Sequence, residues 1–167
     1  MSRFTRKRSV TTGLPPGTLV PHEEPPERPV RITVFDYDEK SVEERTLSGV
    51  EECTPFATSQ RVTWINMDGV QDVPLVGRLC DQFQIHPLVQ EDVVTLGERP
   101  KLEDYEEYLY LRLNMLSYDE GHGELQAEQV SLILGPAFVL SSQEHEGDVF
   151  DTIRDRIREA KGRIRKM

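Results

Sequence analysis

The sequence predicts an α/β sandwich on a mixed sheet, and three observations carry that prediction. Short strands with period-two alternation flank both sides of the chain's middle. Two helical patterns sit between them, each with its own start and stop signals. The length of 167 residues, with 37% hydrophobic and 30% charged side chains, fits one domain with one core. Strands interleaved with helices favour helices packed on a sheet over a pure bundle or barrel.

The elements follow in order. Residues 1–29 read as an irregular arm, rich in Pro and turn signals (GLPPG, then PHEEPPERP). The sandwich proper is expected over 30–147. Val30, Ile32 and Val34 alternate with Arg31 and Thr33, a half-buried strand, and Val42–Leu47 pairs with it across the polar turn at Asp36–Ser41. Val62–Met67 is β-rich and stops at Asp68-Gly69. Asp72 then suits an N-cap with Pro74 in the first turn, and Val76, Leu79, Cys80 and Phe83 define one buried helical face. A second helix is expected from Pro87 to Leu96, with Gly97 at its C′ position and Pro100 preventing continuation.

The chain then returns to strand. In Tyr108–Leu116, Leu109, Leu111, Leu113 and Met115 share one face, and Tyr110, Arg112 and Asn114 share the other. Asp119–Gly123 forms a hairpin tip, Gln129–Leu134 returns, and Ala137–Ser142 is the last strand. From Asp148, residues Phe150, Ile153, Ile157, Ala160 and Ile164 are spaced 3, 4, 3, 4, a heptad seam. Residues 148–167 are therefore expected to start a long C-terminal helix that runs uncapped into Met167, as a truncated helix would.

Composition narrows the function classes. Asp plus Glu is 30 against 20 Lys plus Arg, a formal net charge of −10. Residues 1–12 carry +4 and residues 152–167 carry +5, which leaves 9 basic and 28 acidic groups, a net −19, over 13–151. Such a body repels phosphate backbones, so no nucleic-acid partner is expected, and it attracts cations. The longest apolar runs are four residues, against roughly 20 for a membrane helix, and no secretory signal opens the chain. Two cysteines, Cys53 and Cys80, make neither a disulfide scaffold nor a zinc site, which suits a reducing compartment.

Signatures of catalysis are missing: the sequence has no GxSxG, P-loop, GxGxxG or HExxH pattern. His22, His86, His122 and His145 have no Cys or His at ligand spacing. An enzyme is not expected. The one constellation with chemical promise is Glu91-Asp92, behind His86-Pro87. Adjacent helical residues diverge by about 100°, so the two do not readily chelate one ion. Each can offer an oxygen to a hydrated hard cation held against another surface, which suits magnesium. The plain alternative is a solvated helix face.

Six strings occur in order: GLPPGTLV (Gly13–Val20), WINMDG (Trp64–Gly69), FQIHPLVQEDV (Phe83–Val93), RPKLE (Arg99–Glu103), EQVSLIL (Glu128–Leu134) and GDVFDTIRDRIR (Gly147–Arg158). Together they resemble the N-terminal cytoplasmic domain of the CorA family of magnesium and cobalt transporters. The resemblance implies an α/β/α sandwich with a mixed parallel/antiparallel sheet, whose C-terminal helix leads into a stalk. It implies a homopentamer in the full-length protein, held at the cytoplasmic face of the cell membrane by C-terminal helices that lie outside this chain. The family's Gly-Met-Asn pore signature and stalk carboxylates are not in this sequence. Glu91 and Asp92 match the family's acidic pair, which binds a regulatory Mg2+, or Co2+, between neighbouring subunits and holds the pore closed. Two other readings stay open: the same domain from a zinc-transporting branch, and a stand-alone acidic α/β interaction module. A free-standing metal-dependent hydrolase would need three or more convergent ligands, and the histidine pattern offers none.

Overall fold

The structure, a computed structural model, describes residues 13–20, 29–119, 121 and 123–166. Seven strands form one sheet: β1 (Arg31–Tyr37), β2 (Val42–Leu47), β3 (Val62–Asp68), β4 (Lys101–Asp104), β5 (Leu109–Asp119), β6 (Glu124–Leu134) and β7 (Phe138–Gln143). Their order is β2-β1-β3-β7-β6-β5-β4. Neighbours are antiparallel except β3 and β7, which pair in parallel with Ile65 opposite Leu140, so the sheet is mixed as expected.

A 3-10 helix at Val50–Thr58 and the helices α1 (Val73–Gln82) and α2 (Pro87–Val94) cover one face. Their apolar sides meet Ile32, Val34, Ile65, Met67, Tyr110, Ile133 and Leu140 from the sheet in the main core. α2 ends at Val94 with Thr95 as its C-cap, short of the expected Leu96 and Gly97, because the Thr95 amide and hydroxyl both close on Glu91 O. The expected N-cap of α1 is present. Asp72 accepts the Leu75 amide at 3.0 Å, and Cys80 is buried on the inner side of α1, where desolvation pushes its thiol up to about 12. Cys53 and Cys80 are both free and buried.

The helix α3 (Asp151–Arg158) lies on the opposite face, where Ile157 packs with Phe35, Tyr37 and Trp64. That completes an α/β/α arrangement over the β1–β3 half of the sheet. On the other half of the same face, Leu102, Leu109 and Leu134 are exposed. The register explains this: β5 turns Tyr110 and Arg112 into the helix-covered interior and its leucines outward.

The C-terminal segment departs from the expected continuous helix over 148–167. α3 stops at Arg158, the Ala160 amide bonds to Ile157 O and the Lys161 amide to Arg156 O, with Ala160 at φ 52° and Gly162 at φ 71°. This left-handed exit folds the chain back. Ile164 then joins the Phe35–Trp64 cluster, and buried Arg165 donates from Nε to Asp38 O at 2.7 Å. Tertiary burial outweighs the heptad pattern here. Two further elements have no counterpart in the expectations, the 3-10 helix and β4. The tip residues 120 and 122, Met167, and most of the arm (1–12 and 21–28, including His22) lie outside the described residues.

Candidate metal site

α2 carries both carboxylates named from the sequence, and its surroundings fix it tightly. His86 caps its start, with Nδ1 accepting the Leu88 amide at 3.2 Å, and Pro87 occupies the first turn. Buried Gln90 donates from Nε2 to Asp81 Oδ1 at 2.8 Å and to Ile85 O at 2.9 Å, which ties α2 to α1. At the far end Gln129 of β6, also buried, donates to Thr95 O at 3.1 Å and to Asp92 O at 3.4 Å. Those bonds satisfy carbonyls that a helix C-terminus leaves without intrahelical partners. α2 is thus a rigid platform.

Its outer side forms a shallow concavity of about 350 Å³ lined by Leu88, Glu91, Asp92, Thr95, Glu98, Lys101, Glu103 and Tyr105. The structure therefore brings Glu91 and Asp92 to one surface, together with two further carboxylates. The two have different partners. Glu91 Oε2 accepts the Gly17 amide at 2.6 Å, which latches the GLPPG turn onto the helix. Asp92 is held by two cations: Lys101 Nζ lies 2.5 Å from Oδ2, and Arg112 Nη1 lies 3.1 Å from Oδ1. Lys101 also reaches Glu103 Oε2 at 2.9 Å, and Tyr105 Oη donates to that oxygen at 3.2 Å. The bond from Lys101 holds the Glu103 carboxyl below its ordinary value.

The arm's docking depends on glycine. Gly17 has φ +81°, and a Cβ there would stand 2.9 Å from Pro87 Cβ. Leu19 packs over Gly77, where a Cβ would meet its Cδ1 at 2.7 Å. Gly17→Ala is expected to cost about 1–2 kcal/mol through strain and overlap. Hydrogen exchange should speed up across 13–20 while the β1 and β3 amides stay protected.

As a donor set the concavity offers carboxylate and hydroxyl oxygens, with neither His nor Cys among its lining residues. That chemistry suits a hard, hydrated cation such as magnesium better than zinc. Among the described residues no group of three or more His, Cys, Asp and Glu side chains is placed to hold a metal ion. His86 and His145 stay out of the site: His86 caps α2, and His145 lies beside Glu128 at 3.5 Å. The sequence reading missed Lys101, Glu103 and Arg112. The RPKLE string had no alternation to mark it as a strand, and the lone arginine in an apolar strand was the available signal.

The same fold recurs in solved structures. The full-length CmaX protein matches with a TM-score of 0.63 and 14% identity, over 83% of this chain and 42% of that one. The ZntB cytoplasmic domain of Vibrio parahaemolyticus matches with 0.58 and 12%, over 79% of this chain and 51% of that one. The chain shares the fold of these proteins, and α2 presents an acidic face on it.

The family model for CorA-like Mg2+ transporter protein matches residues 59–167, and the chain belongs to that family. The family is one of transporters, not enzymes. The cobalt/magnesium transport protein CorA of Thermotoga maritima is 43% identical over 161 residues, 96% of this chain and 46% of that protein. The chain thus spans less than half the length of this relative. Among the described residues no helix is long and apolar enough to cross a membrane.

Proposed function

We propose that this chain is the cytoplasmic regulatory domain of a CorA-like magnesium and cobalt transporter, and that it senses divalent cations through the α2 face. The single observation that carries the reading is the concavity holding Glu91, Asp92, Glu98 and Glu103 on a family domain of net acidic charge. Its donor set is incomplete in one chain, so a second subunit supplies the remaining ligands in a homo-oligomer, a pentamer in the full-length protein. High cytosolic Mg2+ bridges neighbouring acidic bodies and favours the closed arrangement. Loss of the ion leaves like charges facing each other, and the subunits separate. A ligand shifts such an equilibrium only by binding one arrangement better, and a site between subunits supplies that difference. In this reading the α/β body spans 30–147, preceded by the arm at 1–29, and residues 148–167 link the body to a stalk and membrane part. A lining with neither His nor Cys favours this reading over a zinc-transporting branch.

The test is a chimaera in which this chain replaces the matched segment of the Thermotoga protein, assayed for Mg2+ uptake into liposomes. Raised internal Mg2+ should shut off uptake. Glu91→Ala together with Asp92→Ala should keep the flux several-fold higher at the same internal Mg2+. Equal inhibition with and without the two carboxylates would remove them from the sensor.

A further inference from the structure

The two cations on Asp92 differ in how firmly they are held. Arg112 is 5% exposed on β5, and its Nε also donates to Arg99 O at 3.1 Å, so it is fixed beneath α2. Withdrawing its partner would strand a buried charge, which is costly. Lys101 stands at the start of the edge strand β4, is 27% exposed, and reaches across the concavity on a flexible stem. Its ammonium touches Asp92 and Glu103 and lies 5.4 Å from the centre of the Tyr110 ring. A cation bridging these two carboxylates would sit where Nζ sits.

We propose that Lys101 is a tethered competitor for the divalent cation: its ammonium occupies the Asp92–Glu103 bridge, and a metal binds Asp92 directly only by displacing it. This rests on the reading of α2 as a cation site and adds how that site is tuned. The tethered ammonium lowers affinity for a divalent ion through repulsion and through the two bonds that must break. Arg112 remains in place throughout and keeps Asp92 aimed at the concavity. The sensor therefore responds to the abundant ion and ignores trace amounts.

The experiment uses the whole chain and Mn2+ as a paramagnetic, oxygen-seeking probe, with free Mn2+ read by electron paramagnetic resonance at fixed ionic strength. Lys101→Gln should tighten Mn2+ binding about tenfold, the effect expected for removing one charge a few ångströms from a divalent ion in solvent-like surroundings. Lys101→Arg, which keeps the charge, should stay within about twofold of the parent by the same reasoning. The gain should vanish in Lys101→Gln combined with Asp92→Asn. In the unsubstituted chain, added Mg2+ should move the Lys101 side-chain NMR signals out of the Tyr110 ring current, a shift abolished by Asp92→Asn. That measurement needs no folded Lys101 variant. If Lys101→Gln binds like the parent while Asp92→Asn still weakens binding, the competitor role is wrong and the cation site stands. If binding ignores Asp92→Asn and Glu91→Gln in every background, the site reading fails and the competitor fails with it.

Discussion

Phe35→Ala is expected to destabilise the protein by about 3–5 kcal/mol, the usual range for a large aromatic removed from a packed core. Phe35 is fully buried at the centre of the outer cluster. Its ring stacks on Trp64 with centroids 5.4 Å apart, and the Arg158 guanidinium lies 5.5 Å from its centre. Ile157, 1% exposed, is the one fully buried residue of α3, so the helix depends on this cluster. The cavity left by alanine opens under a single short helix, which is poorly able to collapse around it. Urea unfolding followed by the fluorescence of Trp64, the sole tryptophan, reads the loss directly. Hydrogen exchange should show protection lost first across 151–158, while α1 and α2 keep theirs. A cost below about 1 kcal/mol, or uniform loss across the domain, would show that α3 is held by something other than this packing.

Asp148→Asn is the second large effect, expected at about 3 kcal/mol at neutral pH from breaking a buried ion pair. The Asp148 side chain is 2% exposed, accepts the Phe150 amide at 2.8 Å, and pairs with both terminal nitrogens of Arg154. Arg154 in turn lies over the Trp64 ring at 5.0 Å. Burial acts to raise the Asp148 carboxyl, but the bonds from Arg154 and the Phe150 amide outweigh it and hold it below its ordinary value. A carboxyl depressed on folding stabilises the native state above its unfolded value, near pH 4, and that contribution is lost as pH falls through the folded value. The parent chain should therefore lose stability in acid more steeply than Asp148→Asn, and the two unfolding midpoints should converge at the lowest pH. Parallel pH profiles would mean that Asp148 is not the group being titrated.

The fold was legible where local pattern and tertiary burial agree. Asp72-x-Pro74 and His86-Pro87 announce helix starts, the period-two run at Val30–Val34 announces β1, and the β-rich run ending at Asp68-Gly69 announces β3. The pattern misled where burial overrode it. The 3, 4, 3, 4 spacing from Phe150 to Ile164 fits one long helix, yet Ile157 and Ile164 reach the same cluster from a helix and from a returning turn. In β5 the leucines look like the core face, but the interior takes Tyr110 and Arg112 because Asp92 and Ser131 satisfy their polar ends. The candidate site was half legible. Glu91 and Asp92 stood out as an acidic pair, but the counter-charges of Asp92 come from 9 and 20 positions further on. No local spacing joins Asp92 to Lys101 and Arg112; only the register of β4 with β5, which sets Lys101 opposite Arg112, does so.

The parallel join between β3 and β7 also governs how the chain can assemble. On one side, β2, β1 and β3 come from a contiguous stretch of about forty residues; on the other, β4 to β7 form a sequential meander. Each half has mostly short-range pairings and can organise early. Trp64 meets Val139, and Asn66 meets Ser141, only after the whole intervening chain is made. Contacts of such wide sequence separation carry the largest loop-closure cost. During synthesis the amino-terminal half would emerge with an open β3 edge, which stays unpaired until β7 is made.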